Sequence, residues 1–216
     1  MIPITLLSGC GLVPSDLTSF INTIRYFTKM TDPDVMTDDT ITSFIRMGEE
    51  RISSELRNAD MVQIDTATFG DANRVKLPTD YQSMDFIRWA DATSANPLHF
   101  QTRDDFYSLP QPDWHYTTSG LYLMVGGGDN TGRVVELHYF GDVPALQVGS
   151  DTWLTRRYPS LLTSATMVAA SKGMVDVENA PLWEADCAAA IQRLNDNYKS
   201  SIARGSKLRR VQKGFG

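Results

Sequence analysis

The chain has 216 residues, 42 % of them hydrophobic and 21 % charged, and a mean hydropathy of −0.25. That balance is the one expected of a folded globular chain, and no apolar run approaches the ~20 residues that a membrane-spanning helix needs. Twenty Lys and Arg against 26 Asp and Glu leave a net charge of −6, which argues against a surface that holds nucleic acid everywhere by its phosphates.

Residues 1–14 read as an extended leader. Leu7-Ser8-Gly9-Cys10 matches a bacterial lipoprotein cleavage pattern, but nothing before Arg25 is positive and Pro3 interrupts the short apolar stretch. A secretory signal needs both features, so the match is assigned to chance. Cys10 and Cys187 are too few for a disulfide framework and read as free thiols.

The first predicted helix opens at Ser15-Asp16, carries Leu17, Phe20, Ile21 and Ile24 at helical spacing, and ends by Asp32-Pro33. Asp38 or Asp39 is expected to cap the second. Its stripe is Ile41, Phe44, Ile45, Gly48, Ile52 and Leu56, while Arg46, Glu49, Glu50 and Arg51 fall outside it and are expected to face solvent or a neighbouring subunit. The apolar period then changes from 3.6 to 2. Candidate strands are Met61–Phe69, Arg74–Leu77, Met84–Trp89, Leu98–Gln101, Tyr116–Thr118, Leu121–Val125 and Val134–Phe140. The last two flank the glycine-rich Gly126–Gly132 and predict a hairpin. A third helix starts near Pro159 and breaks around Gly173. A fourth starts near Pro181, with Trp183, Cys187, Ala190, Ile191, Leu194, Tyr198 and Ile202 in phase, and is expected to stop at Gly205.

The fold class this implies is α+β: four main helices from both chain ends, an inserted antiparallel β domain and an extended C-terminal arm. The expected divisions are 15–58 with 151–203 for the helices, 59–150 for the β insertion and 204–216 for the arm. No acidic residue follows Asp196, so the last 18 residues carry +6 and the remainder −12. Leu208, Val211 and Phe215 interleave with Lys207, Arg209, Arg210 and Lys213, a pattern that reads equally as an arm docking on an acidic partner or nucleic acid and as an idle, frayed tail.

Catalytic patterns are not found. His99, His115 and His138 have no HExxH or CxxC companion. Glu136 and His138 share one strand face, yet a zinc site needs three or four ligands. Asp32-x-Asp34-x-x-x-Asp38 lacks the glycine and glutamate of a calcium loop. Glu49-Glu50 and Asp104-Asp105 are sequence neighbours and on a helix point ~100° apart. No catalytic residue, metal ligand or cofactor is assigned.

Several segments, in order, carry a resemblance. Thr40–Ile52 with Leu56-Arg57 is similar to the second helix of bacteriophage head-to-tail adaptor proteins. Val75-Lys76-Leu77-Pro78-Thr79-Asp80-Tyr81 resembles the element entering their β domain. Glu136–Phe140, Pro144-Ala145-Leu146 and Thr152-Trp153-Leu154 through Tyr158-Pro159-Ser160-Leu161-Leu162 resemble the return to their helices. The third helix departs from the family pattern, with Thr166-Met167-Val168-Ala169-Ala170 where an alanine–glutamate pair is expected, and the leader before Ser15 is longer than usual.

The resemblance implies a non-enzymatic virion protein: a ring, commonly a dodecamer, beneath the portal protein. The ring extends the channel through which genome DNA passes without sequence-specific binding, and it is a platform for tail (nozzle or fibre) proteins. On this resemblance the portal-binding residues are Lys207, Leu208, Arg209, Arg210, Val211, Lys213 and Phe215, and the lateral ring contacts Arg46, Glu49, Glu50 and Arg51. The place is the virion neck, with assembly in host cytoplasm and no membrane. The alternatives are a small phage-encoded hydrolase and a DNA-binding accessory factor.

Overall fold

A computed structural model of the chain describes residues 16–29, 36–70, 73–90, 97–108, 114–174 and 179–212, with side chains at 174 and from 203 onward outside the description. The leader, Asp32-Pro33 and Asp34 therefore lie outside the described residues. The chain forms two compact units, Met1–Asp60 with Val143–Gly216, and Met61–Asp142.

The first unit is helical. Helix α1 spans Leu17–Thr28. Asp16 caps it reciprocally, accepting from the Ser19 amide at 3.0 Å while its own amide donates to the Ser19 hydroxyl at 3.1 Å. The helix ends at Lys29 in the left-handed region, φ 56°, ahead of the expected Asp32-Pro33 stop. Helix α2 spans Asp38–Glu55. Its cap is Thr37, whose hydroxyl accepts from the Thr40 amide at 3.2 Å. Asp38 and Asp39 sit instead in the first turn, where their charges complement the exposed N–H ends of the helix. All six residues of the predicted apolar stripe are buried, and each isoleucine so placed contributes about 1.5–3 kcal/mol.

Three further helices follow the β unit. The short helix α4, Trp153–Arg157, begins with a reciprocal Thr152–Thr155 cap, and α5 follows at once over Pro159–Met174. From Leu161 to Val168 every residue of α5 is buried. Two of its polar members bond to their own helix: the Thr163 hydroxyl donates to the Pro159 carbonyl at 2.9 Å and that of Ser164 to the Leu161 carbonyl at 3.0 Å. Gly48 lets α2 approach α5 closely, since a Cβ there would stand 3.0 Å from the Thr166 amide nitrogen. Helix α6 runs over Ala180–Gln212, ~50 Å at 1.5 Å per residue. It passes through Gly205 without stopping. A glycine inside a helix costs only about 1 kcal/mol against alanine, and a helix already nucleated over six turns propagates through it. The segment 205–212, expected to be an extended arm, is helical.

The second unit is a two-sheet sandwich. Strands β1 (Val62–Thr68), β7 (Val134–Gly141) and β3 (Tyr81–Trp89) form one antiparallel sheet in the order β1-β7-β3. The other has the order β2-β6-β5-β4, with β2 at Arg74–Lys76, β4 at His99–Phe100, β5 at His115–Ser119 and β6 at Tyr122–Val125. Val135, Leu137, Tyr139, Ile87 and Trp89 of the first sheet share one buried core with Val75, Tyr116, Leu123 and Val125 of the second. The alternation of strand residues is what places them there.

Two expectations are corrected. Leu121–Val125 and Val134–Phe140 do not pair with each other, because β6 and β7 belong to different sheets. A two-residue turn forces its flanking strands together, whereas the longer Gly126–Gly132 segment carries the chain across the sandwich. The Asn130 side chain holds it, donating to the carbonyls of Val125 at 3.2 Å and Gly126 at 3.0 Å. The hairpin lies one strand earlier, where Ser119 pairs with Tyr122 across Gly120-Leu121 and Gly120 has φ 58°. Nor is the insertion wholly antiparallel, since β4 pairs with β5 in parallel. Parallel neighbours need a crossover, and here it contains helix α3, Arg103–Ser108.

Candidate interaction surfaces

The polar residues of α2 sit in three different settings. Glu49 is buried, with only 5 % of its surface accessible. One carboxylate oxygen accepts from the Leu146 amide at 2.7 Å, and the other from Arg46 at 2.7 Å. Burial pushes its carboxyl up, against the opposing pull of those two donors. The Arg46 guanidinium also donates to the Leu146 carbonyl at 2.8 Å. Glu49 thus ties α2 to the chain returning from the β unit, and the expectation that it faces a neighbouring subunit is corrected.

Arg51 also points inward. It forms a bidentate pair with Glu184 of α6, at 2.9 and 2.6 Å, and a third bond to Glu55 at 3.1 Å. The pairing holds the Glu184 carboxyl below the usual range. About three turns further along α6, Asn195 clamps the end of α2. It accepts from the Arg57 amide at 2.7 Å and donates to the Glu55 carbonyl at 3.1 Å. No periodicity signalled this α2–α6 seam, because the choice of partner between helices more than a hundred residues apart leaves no local pattern. Glu50 alone of the four is exposed, beside the exposed Met47 one turn back on α2.

Helix α6 changes character along its length. Cys187 and Ile191 are buried, Leu194 and Tyr198 half-buried, and from Lys199 to Ile202 every side chain is exposed, Ile202 by 49 %. Burial pushes the Cys187 thiol up, which keeps it in the neutral form. Lys207, Leu208, Arg209, Arg210 and Val211 lie on the backbone of the same helix, and Lys213 and Phe215 lie outside the described residues.

Glu136 and His138 do meet on the outer face of β7, 2.5 Å apart. Arg88 grips the same carboxylate, at 2.7 and 2.9 Å, and Phe86 stacks on the imidazole with ring centres 3.9 Å apart. Arg88 first and His138 second hold the Glu136 carboxyl down. These contacts make an ion-paired, ring-covered patch of sheet. His99 and His115 pair across β4 and β5 with Trp114 against both rings. Among the described residues no three His, Cys, Asp or Glu side chains converge on a common point, and no helix is long and apolar enough to cross a membrane.

The family model for the SU10 adaptor protein matches residues 15–211, and the chain belongs to that family of bacteriophage structural adaptor proteins. Membership implies interaction with other phage head and tail proteins and a place in the virion. No curated protein matches the chain.

Proposed function

We propose that this chain is a head-to-tail adaptor: copies form a ring beneath the portal, extend the DNA channel and offer a platform to tail proteins. The observation that carries the reading is the family match over residues 15–211 together with a helix, α6, that continues past the packed part of its unit. The exposed stretch from Lys199 to Ile202 leads into Arg204, Lys207, Arg209 and Arg210, followed in sequence by Lys213 and Phe215. A segment combining cations with Leu208 and Val211 suits an acidic, apolar-pocketed portal surface. It docks as the end of a helix, pre-ordered as far as Gln212, which lowers the entropy lost on binding. The net −12 of the first 198 residues supports a channel wall along which DNA phosphates slide.

Deleting Gly205–Gly216 tests the docking role. The segment follows the last described contacts of α6, so the truncated chain keeps the thermal transition of the full one and loses portal attachment in a sedimentation assay. Attachment at the full-length level would contradict the assignment. A steeply salt-dependent affinity for duplex DNA, lost in an Arg209→Ala, Arg210→Ala double variant, would favour a DNA-binding factor instead.

A further inference from the structure

Between the outer flanks of α5 and α6 lies an open groove of about 340 Å³, lined by Ser160, Ser164, Asp186, Ala189, Ala190 and Arg193. Two serines and two alanines give it small side chains, and Asp186 and Arg193 give it one charge of each sign. Asp186, Ala189, Ala190 and Arg193 lie on the flank of α6 turned away from Glu184 and Asn195, the residues that hold α2. Elsewhere on the same unit, α2 presents Met47, 55 % exposed, between Ser43 and Glu50. This ridge belongs to α2 and the groove to α5 and α6, so the two are separate surfaces of one unit.

We propose that the groove receives the α2 ridge of a second copy of this chain, Met47 entering between the serines and alanines and Glu50 pairing with Arg193. Three features of the two faces select this occupant. A thioether side chain is unbranched and adapts to a shallow slot, and small groove residues let the two helices approach closely. Glu50 and Arg193 are both exposed, and among the described residues neither has an ion-pair partner. Arg46, 39 % exposed and using one bond from each terminal nitrogen, has N–H donors left for Asp186. A ridge and a groove on two different surfaces of one unit give a head-to-tail contact, the kind that repeats and closes by rotation. The inference rests on the ring reading and assigns its lateral interface.

Charge exchange on the full-length protein tests it. Glu50→Arg and Arg193→Glu each lower the number of copies carried per portal about tenfold by replacing attraction with repulsion, and the double variant E50R/R193E restores it. Single variants that load like wild type, or a double variant that stays defective, overturn the pairing. In a Cys10→Ser background, mixing Met47→Cys with Ala189→Cys chains at high concentration gives an oxidative cross-link that neither gives alone. Rings that form on portals without that cross-link overturn the groove assignment and leave the adaptor reading standing. A wild-type chain that associates neither with portal nor with itself overturns both.

Discussion

Glu49 shows how a carboxylate can be structural and mistaken for a surface group. Its neighbours Glu50 and Arg51 are charged, but its side chain lies under the returning segment, where it meets the Leu146 N–H and Arg46. Replacing it with alanine leaves a buried amide without an acceptor, at a cost of about 2–3 kcal/mol. Glutamine keeps an oxygen for that amide and costs about 1 kcal/mol or less. The pH dependence follows from the raised carboxyl. A group whose folded pKa lies above its unfolded value stabilises most below the unfolded value, and the stabilisation is lost as pH rises through the folded one. Urea unfolding from pH ~4 to ~8 therefore shows wild type losing stability relative to Glu49→Gln as pH rises. A constant gap between the two would contradict the burial.

At the scale of elements, the α2–α5 contact is set by one missing side chain. A Cβ at Gly48 would press on the Thr166 amide at 3.0 Å and the Ala165 carbonyl carbon at 3.2 Å, both backbone atoms that cannot rotate aside. Gly48→Val is expected to cost about 3 kcal/mol through overpacking, read as a lower urea midpoint at unchanged slope. The positions of the long helices and most strands were legible, because α2 and the start of α6 bury one face each and the strands alternate. The short helices α3 and α4 were not, since five or six residues hold too little periodicity; the Thr152-x-x-Thr155 spacing was the available sign of the second. Glycines in Gly126–Gly132 signalled a change of direction without saying which strand comes next. That choice is made by Asn130 bonding to the loop carbonyls and by the inward residues of β7 finding the Trp89 side of the sandwich. Of the candidate site residues, the outward placement held for Glu50 and failed for Glu49 and Arg51, because helical phase gives a direction but not what occupies it.

At the scale of the whole molecule, one chain carries two differently built units, and the helical one holds every element invoked in binding: the α2 ridge, the α5–α6 groove and the end of α6. The acidic charge is spread over the first 198 residues and the basic charge is gathered at the end, so partner choice at the two is electrostatically distinct. On the proposed role, copies tethered to one ring-shaped portal would gain avidity, so that weak lateral contacts suffice. Electron microscopy of the full-length protein mixed with its portal tests this account most directly. It predicts a closed ring of adaptor density on the portal, each copy touching it through the C-terminal end of α6. Portals that remain bare at saturating protein, or a ring seated on the portal through its β sandwich, would contradict it.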